Sequence, residues 1–106
     1  MSNPRIILST VDSNEAAEGI ARKLVGARLA SCVNILPGLR SIYRWNAEIH
    51  DEPELLLIIK TSSEKSDEAI KALVDSHPYE LPEAVALEIG GGHLPYLDWI
   101  KSETDG

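Results

Sequence analysis

Residues 54–61 read ELLLIIKT, a short run made up mostly of apolar residues. Side chains of a strand alternate between its two faces. Both faces are apolar here, since one carries Leu57 and Ile59 and the other carries Leu56 and Ile58. A strand that is apolar on both faces has to be covered on both faces. The stretch therefore predicts a strand of a sheet with material packed against each of its two faces.

The residues before this strand predict a hairpin. Residues 30–36, ASCVNIL, are typical of a strand, and residues 39–45 resume it after Pro37 and Gly38. We expect a bulge or kink at that interruption of one long strand. Residues 46–53 are polar and acidic, which favours a turn region between the two strands of the hairpin.

The outer elements complete an alternating order. Residues 5–11 predict a first strand, and residues 15–27 have the apolar spacing of an amphipathic helix. Ser62 or Ser63 is expected to cap a second helix, which ends at His77 because a proline follows. A fourth strand and a short terminal helix come last. Their residues are 84–89 for the strand and Tyr96, Leu97, Trp99 and Ile100 for the apolar side of the helix.

This order, βαββαβ with an extra C-terminal helix, predicts an α+β fold of the ferredoxin-like type. Its sheet has four antiparallel strands and carries two helices on one face. Residues 1–106 are too few for two independent cores, so we expect one domain. The second face of the sheet stays uncovered, which favours a homo-oligomer. The alternative is a monomer whose terminal helix folds over that face.

Charge and composition restrict the function classes. Seventeen acidic against ten basic residues give a net charge of −7, and no basic cluster is visible, so nucleic acid is not an expected partner. No apolar run approaches the length of a membrane span, and residues 1–10 lack the pattern of a signal peptide. The single cysteine agrees with a reducing compartment. We expect a cytoplasmic protein without a membrane partner.

The most unusual local sequence is HPYELPE, residues 77–83. Its two prolines favour an extended, polyproline-like path, on which His77, Glu80 and Glu83 share one edge at steps of roughly 9 Å. Imidazole and carboxylates are ligands for zinc or copper, and a neighbouring subunit would have to complete the set. The alternative is structural: the prolines set the entry to the fourth strand, and His77 and Glu83 form capping or pairing interactions.

Catalytic signals are weak. Cys32 is a soft metal donor or a nucleophile by chemistry, but it has no CxxC partner, and an unpaired cysteine commonly packs as a small hydrophobe. The sequence has no phosphate loop, no GxGxxG and no HExxH motif. We therefore expect no enzyme and no obligatory cofactor.

Four segments together resemble one family. They are RLASCVNILPGLRSIYRW (28–45), ELLLIIKT (54–61), HPYELPE (77–83) and YLDW (96–99), and they follow one another in the order found in the CutA family of divalent-cation tolerance proteins. The resemblance spans nearly the whole chain. It implies a ferredoxin-like subunit, a homotrimer shaped like the PII signalling proteins, and a role in the response to metal ions without an established reaction.

The resemblance also implies a binding region in clefts between subunits. The family-like positions that would line it are Cys32, Trp45, Lys60, His77, Tyr79 and Glu83. Two positions depart from members that carry soft ligands: Ser9 stands where some have cysteine, and Ser76 where some have a second histidine. Hydroxyls are poor replacements for thiolate and imidazole toward a soft ion, so a copper site of that kind would be weakened.

The leading functional prediction is a homotrimer of the divalent-cation response that binds copper, zinc or another divalent cation between subunits. The alternative is a PII-like regulator or scaffold whose target is an unidentified protein partner or a small effector, with incidental metal binding.

Overall fold

The structure, a computed structural model, describes residues 3–105; residues 1, 2 and 106 of the predicted domain lie outside the described part. The elements follow one another in the predicted order. They are β1 (Arg5–Val11), α1 (Asn14–Gly26), β2 (Cys32–Trp45), β3 (Glu48–Thr61), α2 (Ser66–Ser76), β4 (Val85–Glu88) and α3 (Leu94–Glu103).

The strands form one antiparallel sheet in the order β2-β3-β1-β4. Strand β3 is central, because it pairs with β1 from Arg5↔Thr61 to Val11↔Leu55 and with β2 along its other edge. The helix between β1 and β2 therefore crosses over an intervening strand. This split arrangement confirms the predicted α+β, ferredoxin-like fold.

The hydrophobic core lies between one face of the sheet and helices α1 and α2. Alternate residues of β1 and β3 point into it, as the two-residue period of a strand requires. Its completely or almost completely buried members include Ile7, Val11, Ile20, Leu24, Leu57, Ile59 and Leu73.

The opposite face of the sheet, which we call the open face, is not covered by α1 or α2. Leu36, Val85 and Leu87 remain 42%, 49% and 48% exposed there. Register places these side chains together with Leu56 and Ile58, since residues paired across strands share a face. The apolar second face predicted from ELLLIIKT is thus present and unpartnered within the chain.

Helix α3 reaches only one end of the open face, where its Tyr96 contacts Lys60, and it leaves the apolar side chains Leu36, Val85 and Leu87 exposed. It is anchored by Ile100, which is completely buried, and by Arg28, whose guanidinium donates to the carbonyl oxygens of Ser102 and Asp105 at 2.9 and 2.8 Å. These contacts hold the helix at one end of the sheet. Within residues 3–105 the terminal helix therefore does not fold over the apolar part of the second face, as the predicted monomeric alternative requires.

The hairpin is longer than the sequence indicated. Strand β3 begins at Glu48, so the predicted turn region 46–53 is wrong beyond its first two residues. The turn consists of Asn46 and Ala47, both left-handed with φ of 51° and 63°, as in the two-residue turns that match strand twist. Acidic residues following the turn are tolerated in a strand because this part of the ribbon projects from the sheet into solvent.

The start of the second helix also differs from prediction. Helix α2 begins at Ser66, not at a cap on Ser62 or Ser63, and its N-cap Lys65 makes no side-chain capping bond. The Ser62 hydroxyl instead accepts a hydrogen bond from the backbone N–H of Lys65 at 3.3 Å in a preceding turn. The predicted end of this helix is confirmed, because His77 is its C-cap and has extended backbone angles.

Candidate functional site

The 77–83 segment leaves α2 and passes over the end of β1. His77 is only 9% exposed, and its Nε2 lies 2.9 Å from the carbonyl oxygen of Thr10. Its Nδ1 accepts a hydrogen bond from the backbone N–H of Tyr79 at 3.1 Å. The acceptor role of Nδ1 assigns the ring proton to Nε2, which donates to Thr10. Both nitrogens of this predicted metal ligand are thus engaged inside the chain.

The two predicted carboxylate ligands lie further along the same segment, and both are exposed. Glu83 accepts a long hydrogen bond of 3.5 Å from the Thr10 hydroxyl. Within residues 3–105 no group of three or more His, Cys, Asp and Glu side chains could hold a metal ion. One subunit therefore does not bring His77, Glu80 and Glu83 together as a complete set of ligands.

A β-bulge determines which side chains of β2 face the 77–83 segment. Leu36 pairs with Leu56, and Leu39 pairs with Glu54. Two residues of β2 but only one residue of β3 lie between these pairs, so β2 contains one extra residue. Gly38, with φ of 84°, occupies the bulge. One extra residue reverses the alternation of the strand. The odd-numbered residues after the bulge, which include Tyr43 and Trp45, are thereby turned to the open face.

A cavity of about 230 Å³ opens between this part of the hairpin and the 77–83 segment. Three aromatic residues, two carboxylates and one leucine line it. They are Tyr43, Trp45, Tyr79, Glu52, Glu80 and Leu81, and we call this space the hairpin cavity.

Both tyrosines of the hairpin cavity donate their hydroxyl protons to carboxylates. Tyr43 donates to Glu52, and this hydrogen bond raises the pKa of Tyr43 to about 12. Tyr79 donates to Glu54 at 2.5 Å. Burial, together with that hydrogen bond, holds the pKa of Tyr79 well above its usual range. Both phenols are consequently neutral at physiological pH and fixed to the sheet.

The remaining predicted cleft residues lie elsewhere. Cys32 pairs with Lys60, whose ammonium is 3.4 Å from the Tyr96 hydroxyl and 5.6 Å from the centroid of that ring. Trp45 pairs with Glu48, twelve residues from Lys60 along β3. At about 3.4 Å per residue this separation is roughly 40 Å. Cys32 and Lys60 therefore do not share a cleft with Trp45 inside one subunit.

Sequence reasoning missed Tyr43, Glu52 and Leu81 as neighbours of Trp45 and Tyr79. The signal was present in the interruption at Pro37 and Gly38, since one extra residue puts Tyr43 on the same face as Glu52 and Glu54. Assigning residues 46–53 to a turn removed Glu52 from the strand and concealed this alignment.

Ser9 and Ser76 are the two positions that depart from the soft-ligand pattern. In this structure their side chains are buried or hydrogen-bonded within the chain. Ser9 is completely buried on the helix-covered face, away from the open face. The Ser76 hydroxyl accepts from the Lys23 ammonium at 2.7 Å and donates to the carbonyl oxygen of Ala72 at 2.8 Å.

The family model described as "CutA1 divalent ion tolerance protein" matches residues 5–103. The chain belongs to this family. The predicted resemblance is confirmed over the whole core of the fold, including β2, the 77–83 segment and α3. The CutA1 family is named for tolerance of divalent ions and not for a catalysed reaction.

Curated relatives extend from bacteria to plants and animals. The chain is 51% identical to the divalent-cation tolerance protein CutA of Thermus thermophilus, over 93% of this chain and 96% of the relative. It is 39% identical to the chloroplastic CutA 1 protein of Oryza sativa and 38% identical to human CutA. Those two alignments cover 56% and 54% of the relatives, so the chain spans about half the length of these longer proteins.

Solved structures of the CutA1 family share the fold throughout. CutA from Xylella fastidiosa is 44% identical and aligns with a TM-score of 0.95, covering 98% of this chain and all of that chain. The Thermus thermophilus protein is 46% identical with a TM-score of 0.92, over 96% of this chain and 99% of that one. None of the helices described in residues 3–105 is long and apolar enough to cross a bilayer.

Proposed function

We propose that this CutA1 family member is a homotrimeric divalent-cation tolerance protein that binds copper, zinc or another divalent cation in clefts between subunits. One observation carries the proposal: the 77–83 segment runs along the uncovered sheet face. Its Tyr79 hydroxyl bonds to Glu54 on that face, while Glu80 and Glu83 stay exposed. A second subunit packed on the apolar face would bring its own side chains to these carboxylates.

Self-association follows from the energetics of the open face. Leu36, Val85 and Leu87 are each nearly half exposed, and they are continuous with Leu56 and Ile58. Burial of apolar surface contributes about 25 cal/mol per Å², so a second copy that covers this face gains a substantial free energy of association. The trimer, in preference to a dimer, is what the family resemblance implies.

The proposed ligands are His77, Glu80 and Glu83, completed by groups of a second subunit. His77 can bind a metal through Nδ1 only after the hydrogen bond that Nδ1 accepts from the Tyr79 N–H is broken. Glu80 and Glu83 have no comparable barrier. We therefore place the first contact of the cation on the carboxylates, with imidazole ligation following in the assembled cleft.

The test is isothermal titration of the metal-free protein with zinc, copper(II) and copper(I), with the mass in solution measured alongside. We expect a trimer that binds one cation per subunit. Binding is lost in the double variant Glu80→Ala/Glu83→Ala and in His77→Ala, while Glu68→Ala on α2 serves as the exposed-carboxylate control. A monomeric mass, or equal affinity in the double variant and the control, contradicts the proposal.

A second candidate is a PII-like regulator whose target is a small effector or a protein partner. It is favoured by the engagement of both His77 nitrogens within the chain. It predicts an intact trimer with only weak, non-stoichiometric metal binding in the same titration. Both candidates place the protein in the cytoplasm as a non-enzymatic binding protein, and fractionation of cells expressing the full chain tests that compartment.

A further inference from the structure

The lining of the hairpin cavity is poorly suited to a transition metal. Its six residues include no histidine and no cysteine, and no three-ligand group exists within residues 3–105. Half of the lining is aromatic, formed by Tyr43, Trp45 and Tyr79. Aromatic faces contribute no ligand atoms to zinc or copper, but they attract organic cations through the negative potential above the ring.

The cavity also carries uncompensated negative charge. Every ion pair within residues 3–105 uses a carboxylate other than Glu52 or Glu80. The partners of Glu52 and Glu54 are the phenol hydroxyls of Tyr43 and Tyr79, which leave the carboxylate charge in place. A phenol that donates to a carboxylate is polarised toward phenolate, and this polarisation strengthens the attraction of its ring for a cation.

We propose that the hairpin cavity binds a small organic cation of the alkylammonium class. Glu52 and Glu80 supply the countercharge, and the rings of Tyr43, Trp45 and Tyr79 surround the alkyl groups. This combination of aromatic faces with a few placed polar groups is the usual composition of a ligand site. The proposal goes beyond the metal role and does not depend on it, although both share Glu80.

The size of the cavity selects a small ligand. Its volume of about 230 Å³ corresponds to roughly seven or eight water molecules at about 30 Å³ each. A trimethylammonium head with a short tail fits this space, whereas a drug-sized molecule does not. Trp45 is 37% exposed and Leu81 is 70% exposed, so the cavity is open to solvent in the subunit.

The experiment is a calorimetric and NMR titration of the assembled full-length protein with choline. The matched ligand control is its neutral carbon analogue, in which a tert-butyl group replaces the trimethylammonium head. We expect choline to bind and to shift the indole signal of Trp45, and the neutral analogue to bind at least tenfold more weakly. Trp45→Ala should weaken choline binding by roughly two- to fivefold, the range that a solvent-exposed cation–π contact spans.

Glu52→Gln is the second variant, because it removes charge from an exposed side chain without emptying the cavity. It should weaken choline binding by roughly fivefold or more, while Trp99→Ala and Glu68→Gln leave it unchanged. Equal binding of choline and its neutral analogue overturns the proposal, as does an affinity unaffected by both Trp45→Ala and Glu52→Gln. Absence of choline binding overturns it as well.

The two proposals fail independently. Glu83 lies outside the cavity lining, so Glu83→Ala should lower metal affinity and keep choline binding, whereas Glu52→Gln should do the reverse. Loss of choline binding in Glu83→Ala, with retention in Glu52→Gln, contradicts the assignment of the organic cation to the hairpin cavity.

Discussion

The Nε2 atom of His77 lies 2.9 Å from the carbonyl oxygen of Thr10, and this hydrogen bond ties the end of α2 to the end of β1 across 67 residues of sequence. The same ring accepts the Tyr79 N–H at 3.1 Å. His77 therefore fixes the path of the 77–83 segment, whatever it binds besides.

Replacement of His77 by alanine should lower the stability of the protein. The substitution leaves the Thr10 carbonyl and the Tyr79 N–H without these partners, and an unsatisfied buried polar group costs about 1–3 kcal/mol. Guanidinium denaturation of His77→Ala should show a loss of about 2–3 kcal/mol per subunit. The matched control is His93→Ala, since His93 is exposed and makes no side-chain capping bond. Equal stability of the two variants contradicts the structural role of His77.

Two completely buried hydroxyl groups differ in whether they form a hydrogen bond. Ser9 is completely buried, and its Oγ has no hydrogen-bond partner in the described chain. Ser9→Ala should therefore raise stability by about 1 kcal/mol, because it removes an unpaired polar group. Thr61 is equally buried, but its hydroxyl donates to the carbonyl oxygen of Leu29 at 2.7 Å. Thr61→Val should lower stability by about 1–2 kcal/mol. Denaturation midpoints check both changes, and a loss in both variants refutes the assignment for Ser9.

The hairpin turn offers a stabilising substitution. Ala47 has φ of 63°, a left-handed conformation that costs an L-residue about 1–2 kcal/mol. Ala47→Gly should raise stability by about 1 kcal/mol and leave the oligomer intact, whereas Ala47→Val should lower it. Thermal unfolding at fixed protein concentration ranks the stabilities of the wild type, Ala47→Gly and Ala47→Val. A wild-type protein that is as stable as Ala47→Gly disproves the strain at Ala47.

Alkaline pH should destabilise the hairpin cavity through Tyr43. Its pKa in the folded chain is raised to about 12 by the hydrogen bond to Glu52, above the ordinary phenol value of 10.0. The unfolded chain therefore loses this proton first, so the stabilisation is complete below pH 10 and falls as the pH rises toward 12. Phenolate absorbance of the native protein should show a titration near pH 12 that is absent in Tyr43→Phe. An identical alkaline titration in wild type and Tyr43→Phe contradicts the bond to Glu52.

The sequence determined the element order and the identity of the family. ELLLIIKT specifies a strand that is apolar on both faces, and the period of the residues around it distinguishes the helices from the strands. The end of α2 at His77 was equally local, because proline restricts the residue before it. These features depend on neighbours within a few residues along the chain, so they can be predicted from the sequence alone.

Tertiary structure alone decided which chemical groups meet. Residues that pair across strands share a face, so the one-residue bulge between Leu36 and Leu39 turned Tyr43 toward Glu52. The same register placed Cys32 and Lys60 at the opposite end of the sheet from Trp45. His77 was predicted as a ligand from its chemistry, but its partners Thr10 and Tyr79 became visible only once β1 and the 77–83 segment lay together. The chemistry of a side chain follows from its residue type alone. The hydrogen-bond partners of a ring nitrogen and the lining of a cavity depend instead on atoms from distant parts of the chain.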